Sequence, residues 1–129
     1  MAHILVVDDE QANRMLVAAL LREAGHTVDA ASNGSGALAQ LEANHCDLLV
    51  TDMHMPVMDG IELISQCRGL HPKLPIVAMS GGDFAGDTLR LADAGLMGAL
   101  ETVNKPYKAE DLYGAVDRAL AGSAQISSS

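Results

Sequence analysis

Short apolar runs alternate with longer amphipathic segments along this chain, and the alternation repeats five times. The runs are residues 3–7, 27–31, 48–51, 76–79 and a weaker one at 102–104. Each run has the length of a strand, and the segment that follows it has the spacing of an amphipathic helix. Five such units predict an α/β domain in which a five-stranded parallel sheet is flanked by five helices.

The polarity of the runs also predicts the order of the strands. Residues 4–7 and 48–50 are continuously apolar, which is typical of central strands covered on both faces. Residues 27–30 alternate between polar and apolar positions, as an edge strand does. We therefore expect the order 2-1-3-4-5, in which the chain reverses direction across the sheet between strands 1 and 3. Ligands of open α/β sheets bind at the carboxyl ends of the strands, beside such a reversal.

Helical spacing predicts which side chains face the core. The first helix is expected to bury Ala12, Met15, Leu16, Ala19 and Leu20. The later helices are expected to bury Ala37, Leu38 and Leu41, then Ile61, Ile64 and Cys67, then Leu89, Ala92 and Leu96, and finally Leu112, Ala115, Val116, Ala119 and Leu120. Asn33 is the expected N-cap of the second helix, whereas the last helix is expected to begin at Lys108, a poor capping residue.

Composition narrows the classes of function. The chain has 129 residues, as expected for one domain, and its formal net charge of −9 argues against binding to nucleic-acid phosphates. We expect the domain to span residues 1–121 and residues 122–129 to form a flexible serine-rich tail or the start of a linker. No apolar stretch is long enough to span a membrane, and no signal peptide is recognisable, so a cytoplasmic location is predicted.

The two cysteines do not form a recognisable metal or disulfide motif. Cys46 and Cys67 are too few and too far apart for a zinc module or a disulfide scaffold. Both lie among apolar neighbours, which predicts buried thiols in a reducing compartment.

Polar residues stand at the ends of four of the five predicted strands. They are Asp8 and Asp9, Asp52, Ser80, and Lys105. Because strands 1 and 3 are neighbours, we expect the three carboxylates to share one pocket, where they would repel one another. A hard divalent cation, Mg²⁺ or Mn²⁺, would relieve that repulsion. The lysine would suit a phosphoryl oxygen that arrives between them.

Each of these residues also has a structural interpretation when taken alone. Asp9 is a candidate N-cap of the first helix, and Asp52 is a candidate turn residue ahead of a proline. Ser80 begins a glycine-rich stretch, and Lys105 precedes a proline as many turn residues do. Structural demands alone do not place two acids, a hydroxyl and a lysine on one edge of a sheet, so the combination favours a chemical site.

Four motifs carry a resemblance to a known family. They are Val6-Val7-Asp8-Asp9-Glu10, Asp52-Met53-His54-Met55-Pro56-Val57-Met58-Asp59-Gly60, Ala78-Met79-Ser80-Gly81 and Lys105-Pro106-Tyr107. In this order, and over essentially the whole chain to residue 121, the sequence closely resembles the receiver domain of bacterial two-component response regulators. The resemblance implies a receiver-type (flavodoxin-like) fold and a signalling switch rather than a conventional enzyme.

The resemblance also implies roles for individual residues. Asp52 would accept a phosphoryl group from a phosphohistidine of a sensor histidine kinase or a histidine phosphotransfer protein. Asp9, Asp52 and the backbone carbonyl of His54 would bind Mg²⁺ directly, and Asp8 would bind it through water. Lys105 would pair with the phosphoryl oxygens. A metal-binding role for the His54 imidazole is less favoured, because Mg²⁺ prefers oxygen ligands.

The switch would involve Ser80, Thr102 and Pro106. Ser80 would bond to the phosphoryl group and draw the following loop inward, and the predicted helix around residues 89–96 would move with it to control a downstream protein. Thr102 stands where many members of the family carry an aromatic residue, so an aromatic ring flip is not available here. The family pattern also implies a cis bond before Pro106.

Three other classes of function fit these residues less well. An aspartyl phosphatase requires a second acid two residues after its nucleophile, where this chain has His54. A flavodoxin-like electron carrier requires a hydroxyl-rich phosphate loop and aromatic rings, and the loop after the first strand is acidic instead. A degenerate receiver that only docks proteins is disfavoured, because all five characteristic residues of the family are present.

Overall fold

The computed structural model describes residues 2–53, 60–81, 101–105 and 108–128, with side chains for residues 2–53, 62–79, 101–103 and 108–121. The strands and helices follow in the order β1 (His3–Val7), α1 (Gln11–Glu23), β2 (Thr27–Ala31), α2 (Gly34–Ala43), β3 (Leu48–Asp52), α3 (Gly60–Leu70), β4 (Ile76–Gly81), β5 (Glu101–Lys105) and α4 (Ala109–Ser128). The helix predicted around residues 89–96 lies outside the described residues. The described part contains no helix that is long and apolar enough to cross a membrane.

The five strands form one parallel sheet in the order β2-β1-β3-β4-β5, which confirms the predicted topology. β1 and β2 have the predicted bounds, whereas β3, β4 and β5 extend further at their carboxyl ends. As a result Asp52, Ser80 and Lys105 lie within their strands rather than after them. Backbone pairing in the sheet therefore fixes the main chain at all three positions.

The sheet separates two hydrophobic clusters, one on each face. Alternate residues of β1 point to opposite faces: Ile4 and Val6 join the cluster that contains side chains of α1 and α4, and Leu5 and Val7 join the one that contains side chains of α2 and α3. Residues 4–7 of β1 and all of β3 are buried, and Leu48, Leu49 and Val50 have no exposed surface. This burial on both faces explains why residues 4–7 and 48–50 are continuously apolar.

The structure contradicts the predicted core face of α1. The helix buries Val17, Ala18 and Leu21. Leu20 packs against the core, but the other four residues expected there are exposed: Ala12, Met15, Leu16 and Ala19. Met15 is 61% exposed and Leu16 is 50% exposed. Positions 14, 17, 18 and 21 have the same helical spacing, so periodicity alone does not decide between the two faces.

The other helical predictions agree with the structure wherever their side chains are described. Ala37 and Leu41 of α2 are buried, and so are Ile64 and Cys67 of α3. The predicted apolar positions of α4 from Leu112 to Ala119 are buried as well. Leu38 and Leu120 are partly buried against the same clusters. The side chain of Ile61 and the positions around residues 89–96 lie outside the described part.

The ends of two helices show how local side chains set their limits. The Asn33 side chain accepts a hydrogen bond from the backbone N–H of Gly36 at 2.8 Å, so the predicted cap of α2 is confirmed. α4 begins at Ala109, one residue later than expected. The carboxylate of Asp111 accepts a hydrogen bond from the backbone N–H of Lys108 at 2.9 Å, which is half of a capping box. This bond compensates for the poor capping side chain of Lys108.

The last residues of the chain continue the final helix. The backbone of α4 is helical as far as Ser128. The division at residue 121 between the domain and a tail stays a prediction.

The two thiols are free, but they differ in depth. Cys67 is fully buried, as predicted, and burial raises its pKa from the ordinary 9.0 to about 11. Cys46 is half-buried rather than buried, and its Sγ donates a hydrogen bond to the Leu48 carbonyl at 3.0 Å. Desolvation raises the Cys46 pKa as well.

Candidate metal centre

Three carboxylates meet at the carboxyl edge of the two central strands. Asp8 and Asp9 follow β1, and Asp52 ends β3. One carboxylate oxygen from each lies within 4.8 Å of the others. We call these three residues the acid cluster. Within the described residues, it is the group of potential ligand side chains that comes close enough together to hold a metal ion.

Asp8 is the fully buried member of the acid cluster. It has no exposed surface. Its backbone N–H donates to the Ala31 carbonyl of β2 at 3.2 Å, and its Oδ1 accepts from the Glu10 N–H at 2.9 Å. Its own carbonyl accepts from Nη1 of Arg14 at 2.8 Å. A buried carboxylate is tolerated only when donors or a cation compensate its charge, and these contacts also fix its orientation.

Asp9 is exposed, and it does not cap the first helix. The N-cap position of α1 is Glu10, which makes no capping hydrogen bond with its side chain. The structural interpretation of Asp9 as a helix cap is therefore wrong. Its carboxylate lies at the solvent-facing side of the acid cluster, where a ligand can reach it.

Asp52 is the last residue of β3 and is only 5% exposed. Its backbone lies in register with Met79 of β4, and the N–H of Met53 donates to the Met79 carbonyl at 2.9 Å. Asp52 is thus a strand residue rather than the turn residue of the alternative interpretation. The central position of β3 holds its carboxylate beside those that follow β1.

The chemistry of the donor set indicates the kind of ion that fits. All three ligand groups are carboxylates, and hard cations such as Mg²⁺, Mn²⁺ and Ca²⁺ prefer oxygen ligands. Two nearly buried carboxylates with a third close by repel one another strongly, and a divalent cation relieves this repulsion. The acid cluster therefore fits the predicted divalent ion.

The remaining predicted residues are placed by their backbones or lie outside the described part. Ser80 pairs with Asn104, and Gly81 pairs with Lys105, at the same edge of the sheet as Asp52. Thr102 pairs with Ala78, and its side chain is exposed. His54 and Pro106, with the predicted cis bond, fall outside the described residues.

Arg14 contacts the loop of the acid cluster, and the sequence analysis did not single it out. Its guanidinium reaches back across the first turn of α1 to the main chain of Asp8. A basic residue within the first turn after a pair of acids was the available signal. Apolar periodicity alone does not single out such a residue.

A cavity of about 470 Å³ lies at the opposite edge of the sheet, away from the acid cluster. Its lining includes Asp47 and Pro75, which directly precede β3 and β4. At that edge, Asp47 accepts hydrogen bonds from the N–H of His3 at 2.8 Å and from the ring of His45 at 2.7 Å. These donors lower the pKa of Asp47. The carboxylate there is satisfied by the chain itself, and the convergent acids lie at the other edge.

Comparison with known proteins identifies the family. Residues 4–117 match the family model of the response regulator receiver domain. The DNA-binding transcriptional regulator NtrC of Salmonella typhimurium is 32% identical over 117 residues, which cover 91% of this chain and 24% of that protein. A protein-glutamate methylesterase/protein-glutamine glutaminase of Paramagnetospirillum magneticum is 37% identical over 116 residues, 88% of this chain and 30% of that protein. This chain thus spans less than a third of either relative.

The solved structures agree with this result. The crystal structure of a receiver domain protein from Clostridium thermocellum superimposes with a TM-score of 0.89 at 30% identity, and the match covers 98% of this chain and 99% of that one. The fold, the acid cluster at its carboxyl edge and the family match over nearly the whole chain lead to one conclusion. This chain belongs to the response regulator receiver domain family of two-component systems.

Proposed function

We propose that this receiver is phosphorylated on Asp52 and acts as a signalling switch. The observation that carries the proposal is the acid cluster, in which the nearly buried Asp52 lies at the end of a central strand with the oxygens of Asp8 and Asp9 within 4.8 Å. The same residues match the family motifs in order.

The chemical step is a phosphoryl transfer from a phosphohistidine. A carboxylate oxygen of Asp52 forms a bond to phosphorus while the bond from phosphorus to the imidazole nitrogen breaks, and the nitrogen keeps the electron pair. The product is an aspartyl phosphate. In such reactions the protein contributes mainly positioning and charge stabilisation, and pairing in the sheet already fixes the main chain of Asp52.

Asp9, Asp52 and the backbone carbonyl of His54 are the residues we propose to bind Mg²⁺ or Mn²⁺ directly, with Asp8 bound through water. The bound ion would neutralise the carboxylates and the charge of the incoming phosphoryl group. The exposed position of Asp9 and the burial of Asp8 support this division of roles.

Lys105 and Ser80 complete the proposed site. Lys105 pairs with the phosphoryl oxygens, and Ser80 donates a hydrogen bond to them. Support comes from the register of β4 and β5, whose ends reach the same edge as the acid cluster. Movement of the loop after Ser80, together with Thr102 and Pro106, would then transmit the change.

The partners follow from the same chemistry. The phosphoryl donor is a sensor histidine kinase or a histidine phosphotransfer protein, and the recipient of the signal is a downstream effector protein. The chain would catalyse only its own phosphorylation and dephosphorylation. The alternative of a phosphorylation-independent docking module predicts that the chain gains no phosphoryl group.

Intact mass spectrometry tests the proposal. The chain is incubated with a small phosphodonor such as acetyl phosphate, with Mg²⁺ or with a chelator. We expect the mass gain of one phosphoryl group, dependent on Mg²⁺ and lost in Asp52→Asn. The matched control is Asp47→Asn, which removes a carboxylate at the opposite edge and should leave the gain intact. Absence of a gain, or a gain that persists in Asp52→Asn, would refute the proposal.

A further inference from the structure

Arg14 ties the first turn of α1 to the loop that carries two residues of the acid cluster. Its Nη1 donates to the Asp8 carbonyl at 2.8 Å, and this contact is partly buried. Its backbone N–H donates to the Glu10 carbonyl at 3.0 Å. Arg14 therefore links the first turn of α1 to the loop before it, and the link restrains both segments.

The contacted carbonyl belongs to the peptide that joins Asp8 to Asp9. A peptide unit is planar, so fixing its carbonyl also fixes the N–H of Asp9 and the direction in which the chain enters that residue. Asp8 is held in addition by the Ala31 carbonyl and the Glu10 N–H. Arg14 supplies the restraint on the Asp9 side of this peptide.

Asp9 depends on such a restraint more than the other acids do. Asp8 and Asp52 are 0% and 5% exposed, so packing limits their rotamers. Asp9 is exposed, and its position in the acid cluster follows largely from the backbone. A ligand group that is already oriented loses less conformational entropy when an ion binds.

We propose that Arg14 is a positioning residue for the divalent cation. Its hydrogen bond holds the peptide between Asp8 and Asp9 in the orientation that brings both carboxylates into the acid cluster. This inference rests on the proposed function, because it concerns the ion of the same site, and it adds a residue to that site that does not itself touch the ion.

The charge of Arg14 alone predicts the opposite effect. A guanidinium bound to the loop that carries Asp8 and Asp9 repels a cation held there, so removing it would tighten Mg²⁺ binding if charge were its whole contribution. If positioning dominates, removing it weakens binding. The direction of the change therefore separates the two explanations.

The test compares two arginines of the same helix in the full chain. Arg14→Met removes the bond to the Asp8 carbonyl. Arg22→Met is the matched control, because Nη2 of Arg22 donates to the Val28 carbonyl at 2.8 Å, a bond of the same kind away from the acid cluster. Mg²⁺ affinity is measured by isothermal titration calorimetry. We expect the dissociation constant to rise about three- to tenfold in Arg14→Met and to stay at the wild-type value in Arg22→Met.

Phosphorylation by acetyl phosphate gives a second measurement. In Arg14→Met the Mg²⁺ concentration for half-maximal rate should rise, while the rate at saturating Mg²⁺ stays close to that of the wild type. Arg14→Lys keeps the charge with a shorter reach, and it should give a dissociation constant between those of the wild type and Arg14→Met. If Arg14→Met does not fold, the Mg²⁺ dissociation constant of Arg14→Lys tests the inference. A constant equal to that of the wild type would overturn it.

The remaining outcomes are also decisive. Unchanged or tighter Mg²⁺ binding in Arg14→Met overturns the positioning role, and so does an equal loss in Arg22→Met. If the wild-type chain binds no Mg²⁺, the proposed function fails and this inference fails with it. If the wild type binds Mg²⁺ and Arg14→Met binds it equally well, only this inference fails.

Discussion

At the scale of single residues, depth in the fold gives identical side chains different properties. Asp8 and Asp9 are neighbours in the chain, yet one is fully buried and the other exposed. The two thiols differ in the same way, since Cys67 has no exposed surface and Cys46 is half-buried. Sequence identifies the functional group at each position, and burial decides what can reach it; for the two thiols burial also raises the pKa.

Cys67 provides a prediction about stability at alkaline pH. Burial raises its pKa from 9.0 to about 11, so the folded state keeps a proton that the unfolded state has lost. The stabilisation is complete below pH 9 and declines as the pH rises towards 11, by on the order of 2 kcal/mol in the free energy of unfolding. The free energy of unfolding is measured in urea for wild type and Cys67→Ala from about pH 8 to about pH 11, a range that spans the two pKa values. It should decline more steeply with pH in the wild type. Cys46→Ala is the comparison: it removes a half-buried thiol whose pKa is also raised, and it should flatten the decline less than Cys67→Ala does. Equal slopes in wild type and Cys67→Ala would contradict the prediction.

Among the helices, apolar periodicity correctly located α1 but predicted the wrong buried face. The core side of the helix contains Arg14, whose aliphatic stem and guanidinium span the first turn to reach the Asp8 carbonyl. Leu16 faces solvent instead of the core. Packing against the sheet buries Val17, Ala18 and Leu21 instead.

A matched pair of leucines tests this orientation. Leu21 has no exposed surface and Leu16 is 50% exposed. Leu21→Ala should lower the free energy of unfolding by about 2–5 kcal/mol because it leaves a cavity, whereas Leu16→Ala should change it by less than about 0.5 kcal/mol. Chemical denaturation of the two variants is the measurement. Similar losses would mean that both leucines pack in the core.

In the molecule as a whole, the three convergent carboxylates lie at one edge of the sheet. At the amino edge, Asp47 is satisfied by the N–H of His3 and the ring of His45. At the carboxyl edge, the acid cluster brings three carboxylates together. The fold is therefore expected to gain stability from a cation at the carboxyl edge.

Ligand-linked stability provides the corresponding prediction. An ion that binds only the folded state, at about one hundred times its dissociation constant, raises the free energy of unfolding by about 2.7 kcal/mol. We expect Mg²⁺ to raise the melting temperature of the wild type and to have little effect on Asp9→Asn. The control Glu23→Gln alters an exposed acid at the far end of α1 and should respond to Mg²⁺ as the wild type does. An equal response of Asp9→Asn would place the ion elsewhere.

Sequence pattern was enough to predict the strand order and the edge of the sheet where the three acids meet. Strand polarity predicted the order of the sheet, because a strand buried on both faces must be apolar throughout, and parallel strands place their carboxyl ends at one edge. The acids that follow β1 and end β3 were predicted to meet there, and the structure brings them within 4.8 Å.

Three features emerge from the folded chain and not from the sequence pattern: the buried face of α1, the depth of the individual acids and the hydrogen bond of Arg14 to the Asp8 carbonyl. Each depends on contacts between segments that periodicity does not describe. A helix has several faces with the same spacing, and packing against the sheet selects one of them. A long basic side chain can reach a main-chain carbonyl only after the loop and the helix have been placed, so the guanidinium that holds the acid loop became visible in the folded chain.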